Sequence, residues 1–257
     1  MRPCEFCGGD IADDAPPEHV LPKWLRKFLE KGERFTQREG TYRDHRDAPI
    51  VRWGKWKEHN TKHPAITVDG VCTACNHHWM SDLETSASVM LTPMIEGNAQ
   101  GLTVDQQAFL ARWATKTAMV YDLLLPPDRH HYSAEERRWV MQQTTPPPDT
   151  TVRMGHYTGS AWDFVDVKHE ALYWERPADP EVRDRPDAFR TVMVVGKLVI
   201  DLGLRRPADT LSVNGGAVSI EDVLPLIWPT VEARSWPPRL GMTDNTLASL
   251  VSPSEPD

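Results

Sequence analysis

The sequence predicts an α+β fold: a small cysteine-stapled module, then a region of helices followed by a mainly antiparallel sheet. Three observations carry this expectation. All four cysteines fall in two Cys-x-x-Cys pairs, Cys4/Cys7 and Cys72/Cys75. Helical patterns occupy 75–90, 103–124 and 134–143. Alternating segments rich in β-branched and aromatic residues come after them, at 151–158, 162–174 and 189–202. At 257 residues, 40% hydrophobic and 26% charged, the chain can bury a sizeable core and reads as globular. The expected division is a first module over 1–90, carrying an inserted basic segment, and a C-terminal region over 100–257.

Each element has a local reason. Residues 3–9 form a knuckle, Cys4-Glu5-Phe6-Cys7-Gly8-Gly9, in which glycine permits the turn that aims two sulfurs at one point. Glu18-His19-Val20 is a short extended piece. Pro22 suits the first turn of a helix reaching Lys31, with Trp24, Leu25, Phe28 and Leu29 as its apolar side. Residues 32–49 read as loop. Residues 50–57 and 64–71 read as strands, with Trp53 and Trp56 among cations. Thr103-Val104-Asp105-Gln106 is a capping box opening a helix whose apolar residues, Phe109 to Tyr121, spread widely enough for a buried helix. Gly196 marks a bend or hairpin inside 189–202. His130-His131 with Asp128 reads as a loop rather than a metal site. Trp228 and Trp236, each followed by proline, read as hydrophobic plugs.

The cysteines point to a metal. A Cys-x-x-Cys pair places two thiolates on one turn, and two pairs complete a closed tetrahedral site of the structural Zn²⁺ kind. Disulfides and a thioredoxin-like redox pair are the competitors. A cytoplasmic setting, expected because no apolar segment follows the N-terminus and no run suits a membrane helix, disfavours the first. A redox pair would need only one of the two motifs. The pairing makes Cys4 and Cys75 neighbours, pinning the start of the chain against 72–76.

Net charge is −8, but it is unevenly spread. Residues 20–63 hold twelve Lys or Arg against six acids, so this stretch is +6 and the remainder −14. A basic face there, including Lys23, Arg26, Lys27, Arg52, Lys55 and Lys57, would suit a polyanion; a solvated face of mixed sign is the plainer reading.

The string Glu18-His19-Val20-Leu21-Pro22, followed by Cys72-Thr73-Ala74-Cys75-Asn76, resembles the HNH endonuclease family, whose ββα-metal motif reads Asp/Glu-His-hydrophobic-x-Pro and then Cys-x-x-Cys-Asn on a helix. The resemblance covers residues 3–90. It implies a zinc-stapled ββα-metal module that hydrolyses DNA phosphodiester bonds with one divalent ion. His19 would be the general base, because neutral imidazole can take a proton near pH 7. Glu18 and Asn76 would offer hard oxygen donors to a catalytic Mg²⁺ or Mn²⁺. DNA would be the partner, with no membrane involved, and a homodimer is the assembly to test for double-strand cleavage. The six basic residues named above would contact nucleic acid.

The sequence also departs from the motif. Thr67 stands near the position of the motif's middle asparagine, the stretch from His19 to Asn76 is long, and Trp79-Met80-Ser81 replaces the usual lysine and glycine. Asn76 suits a helix N-cap as well as a ligand. His77 and His78 point away from Asn76 on a helix and read as exposed or phosphate-contacting. Glu84 reads as a solvated or capping residue. These departures support an alternative: a non-cleaving, zinc-stabilised protein that binds nucleic acid or a protein partner.

Overall fold

The computed structural model describes residues 2–28, 33–43, 50–55, 57–61, 66–162, 165–174, 186, 188–204 and 220–251. The chain opens with two short paired strands, β1 (Arg2–Pro3) and β2 (Asp10–Ile11), that flank the knuckle. Gly8 takes φ +74°, the left-handed conformation the tight turn requires. Strand β3 (Glu18–His19) follows, then a 3₁₀ helix over Lys23–Phe28 rather than the longer helix expected to Lys31, whose last residues lie outside those described.

Residues 33–43, expected as loop, form the long strand β4 (Glu33–Arg43), followed by β5 (Ile50–Trp53) and β6 (Lys57–Thr61), which both pair with it antiparallel. The charges that made this segment read as loop conceal its inward residue: Phe35 is buried and stacks on Tyr121 at 5.2 Å between ring centroids. Trp56 lies outside the described residues.

Strand β7 (Thr67–Val68) pairs antiparallel with β3. It leads into a helix in three parts: α1 (Thr73–Cys75), a π-helical turn at Asn76–Met80, and α2 (Ser81–Glu96). After β8 (Gln100–Leu102) comes α3 (Val104–Asp122), with both halves of the Thr103/Gln106 capping box formed. Helix α3 is buried around nearly its whole circumference, Lys116 and Asp122 included. Helix α4 (Ala134–Gln142) has a second box, Ser133/Glu136.

The remaining strands match their expected places: β9 (Thr150–His156), β10 (Val165–Trp174), β11 (Ala188–Val195) and β12 (Leu198–Leu204), the last two folding back at Gly196, φ +55°. Helix α5 (Ile220–Val223), β13 (Leu226–Trp228), β14 (Arg234–Trp236) and α6 (Asp244–Val251) close the described chain.

The architecture is α+β. One sheet runs β13-β9-β12-β11-β10-β4-β5, with β6 also on β4. Its pairings are antiparallel except β10 with β4. Through that parallel pair the basic segment 33–61, read from sequence as an insertion in the first module, is continuous with the C-terminal sheet. Alternate residues of β11 face opposite ways: Met193 and Val195 join the main core with α2 and α3, while Val192 and Val194 join a smaller core with Leu247 and Leu250 of α6. Trp236 is buried in the main core and Trp228 packs against it, as plugs should.

Candidate functional site

The four cysteine sulfurs lie within 4.8 Å of one another and form no disulfide among themselves. Cys7 Sγ and Cys72 Sγ are 3.6 Å apart, far beyond an S–S bond. The spacing is close to the roughly 3.8 Å edge of a tetrahedron with metal–sulfur bonds of about 2.3 Å. Backbone N–H groups point at the sulfurs: Gly9 donates to Cys7 at 3.3 Å, Cys72 to Cys4 at 3.3 Å and Cys75 to Cys72 at 3.4 Å. The Cys4 thiol is pulled down to about 4, first by its hydrogen bond with Cys75 and then by backbone N–H groups, whereas Cys75 is pushed up by the same contact. One thiolate is thus favoured before any cation arrives. The group could hold a metal such as zinc, and the donor set fits it.

Cys72 caps α1, and the Asn76 N–H donates to Cys72 O at 3.0 Å, so the residue after the fourth cysteine is fixed by the turn that starts at the third. Asn76 then opens the π turn, a distortion that often marks functional sites. Glu18 and His19 sit on β3 with Val68 and Thr67 opposite them. Thr67 thus offers a hydroxyl across the strand pair from His19, at the position where the resemblance leads one to look for asparagine. Adjacent strand residues face opposite ways. Glu18 is buried, and His19 is half-buried on the other side.

Burial pushes the Glu18 carboxyl up to about 7; the Lys116 ammonium opposes the rise and the Glu84 carboxylate reinforces it. Lys116 is fully buried and ion-pairs with Glu84, 17% exposed, so Glu84 is an ion-pair partner from α2 to α3 rather than the solvated or capping residue expected. His77 and His78 are exposed, and His78 Nδ1 lies 2.8 Å from Ala74 O.

The basic candidates divide between places. Lys23 is exposed and acts electrostatically on Glu18, and Lys27 is exposed with its ammonium 4.6 Å from the Phe28 ring centroid. Arg52 is exposed on β5. The side chains of Arg26 and Trp53 lie outside those described. Lys55 and Lys57 line a cavity of ≈ 280 Å³ together with Gln37, Glu39, Gly54, Arg129, His131 and His169. That cavity belongs to the sheet, not to the β3–β7 pair.

Two of its lining residues, His131 and His169, belong to a cluster that sequence reasoning missed. Asp122 at the end of α3, His131 ahead of α4 and His169 within β10 are buried and bring one ligand atom each within 4.8 Å of the others. Asp122 ion-pairs with Arg137 at 2.6 Å and accepts the backbone N–H groups of His131 and Tyr132. Burial lifts Asp122 to about 6 against the pull of Arg137. Burial also lowers His169 to about 4, and burial with neighbouring positive charge lowers His131 to about 2. His131 was legible only as half of an exposed-looking pair, and His169 only as one polar letter in a strand. Their partners lie far away in sequence.

No protein-family model, characterised protein or solved structure matches this chain. Among the described residues, no helix is long and apolar enough to cross a membrane.

Proposed function

We propose that the first module is an HNH-type, metal-dependent endonuclease hydrolysing DNA phosphodiester bonds. The observation supporting this is the order of its parts: an antiparallel pair, β3 with β7, leads into a helix that begins at the cysteine group. The first strand carries Glu18 and His19, and Asn76 follows Cys75 directly. Cys4, Cys7, Cys72 and Cys75 would hold structural Zn²⁺. Glu18 and Asn76 would hold Mg²⁺ or Mn²⁺; by donor type, carboxylate and amide oxygens fit a hard cation. Such an ion, when bound, stabilises charge building on the phosphate and on the leaving oxygen.

The chain's own residues would do the rest. His19 accepts a proton on a ring nitrogen from the water that attacks phosphorus, as the bond to the 3′ oxygen breaks. The β3–β7 pair and the knuckle hold imidazole and amide in fixed relation. The exposed cations Lys23, Lys27 and Arg52 would neutralise backbone phosphates.

One observation favours a second reading. Glu18 is buried beside an ammonium, and its carboxyl is held up at about 7, which works against a cation ligand. On that reading the module is a zinc-stabilised binding protein with no cleavage activity. Plasmid cleavage decides between them. With Mg²⁺ or Mn²⁺ the wild type should nick or linearise plasmid, and His19→Ala should abolish cutting with fold and zinc content intact. Binding without cutting across a range of divalent ions would leave the second reading. Loss of affinity should be steep between low and moderate salt on either reading.

A further inference from the structure

The cluster under the sheet cavity is separate from the Glu18–His19–Asn76 frame and owes nothing to it. We propose that Asp122, His131 and His169 bind a divalent transition-metal ion of the zinc class, with an open position that faces the cavity and takes an anionic ligand.

Three elements converge to make the cluster. Helix α3 ends at Asp122, the segment between α3 and α4 presents His131, and β10 carries His169 in register with Gln37 of β4 and Thr191 of β11. His131 Nδ1 lies 3.3 Å from Asp122 Oδ1 and 2.5 Å from His169 Nε2. Ligand atoms of a tetrahedral zinc site, with bonds of about 2.0–2.1 Å, stand roughly 3.3 Å apart. The first distance already fits, and the second needs to open by less than about 1 Å.

The donors are oriented from behind. His169 Nδ1 is 2.8 Å from Thr191 Oγ1. With Nδ1–H donating to that hydroxyl, Nε2 keeps its lone pair and points at His131. Asp122 is held by Arg137 and by two backbone N–H groups, the kind of support that metal-binding carboxylates receive. Two imidazole nitrogens facing each other at this range must share either a proton or a cation. The carboxylate oxygen beside them makes three donors, and two imidazoles with one carboxylate are the donor set of open zinc and non-haem iron sites.

His131 and His169 line the cavity, whose wall also carries Lys55, Lys57 and Arg129. Arg129 is paired with Glu39, while both lysines are exposed. Because Arg137 already neutralises Asp122, a divalent ion would leave the site net positive. An anion entering past the lysines would balance it.

The test uses the full chain with Co²⁺ and Zn²⁺ as probes and inorganic phosphate as the anion. Wild type stripped of metal and titrated with Co²⁺ should take up one equivalent with the near-ultraviolet sulfur-to-metal band of the cysteine group. A further equivalent should show only weak visible bands, and phosphate should shift them. Metal analysis after Zn²⁺ loading should show one equivalent fewer in His131→Ala and in His169→Ala, and no loss from this site in His19→Ala. If either variant fails to fold, Co²⁺ titration of Glu18→Gln decides: the thiolate-free equivalent should persist there, and its loss would assign it to Glu18 and Asn76 and overturn this site. Absence of a thiolate-free equivalent, or its persistence in both histidine variants, overturns the site and leaves a proton between the imidazoles. Visible bands indifferent to phosphate overturn the anionic ligand.

Discussion

Glu18 shows how burial redefines a residue. The residue is 5% exposed, and its folded value of about 7 stands above the ordinary 4.5. A group raised on folding stabilises fully below its unfolded value and loses that contribution as pH climbs through the folded one. Without added Mg²⁺ or Mn²⁺, the Glu18 contribution should therefore be lost between pH 4.5 and 7, against the opposite trend of the buried His131 and His169. Glu18→Gln should remove this loss, gaining on the order of 3 kcal/mol on the wild type across that range, since one unit corresponds to about 1.36 kcal/mol. Denaturant midpoints across that range test it, and identical slopes in both proteins would remove Glu18 as the cause. Lys116 and Glu84 set the same lesson from the other side. In sequence the two stand 32 positions apart, and only α3 packing on α2 brings them together and buries the lysine.

Among the elements, β4 carries the most information about what patterns can and cannot show. Helix α3 was legible because its cap is local: Thr103 with Gln106 needs only three residues' separation, as does the Ser133/Glu136 box found in α4. Strand β4 is flanked and studded with charge, so its alternation is masked, and its partner β10 lies over a hundred residues later. Phe35 nevertheless anchors it against Tyr121. Phe35→Ala should therefore cost about 3–5 kcal/mol, the range for emptying a packed aromatic site. A cost under about 1 kcal/mol in chemical denaturation would mean that this segment is a loop after all.

For the whole molecule, the knuckle and helices α3 and α4 are not independent. Glu5, inside the knuckle, accepts from Arg137 at 3.2 Å, and Arg137 in turn holds Asp122. The Glu5 N–H also donates to Gly70 O at 2.9 Å, tying the first residues to the approach to α1. Stripping metal from the cysteine group should release residues 4–9 and 66–76 first, with hydrogen exchange there rising while β9 to β12 stay protected. Losing several kcal/mol of binding energy, at roughly 2–4 °C per kcal/mol for a chain of this size, should lower Tm by about 10 °C or more. An unchanged melting curve after chelation would show that the four sulfurs hold no structural ion.

What the sequence determined by itself was everything encoded over short range. This covers the two cysteine pairs, the capped helices, the hairpin at Gly196 and the α+β class. What only the tertiary structure decided was pairing at long range. It put β4 in the C-terminal sheet, buried Glu18, and gathered Asp122 with His131 and His169, the two histidines lining one cavity. The reason is physical: a turn or a cap is specified by neighbours along the chain, whereas a buried charge or a ligand set exists only when packing brings distant segments together and removes water from between them.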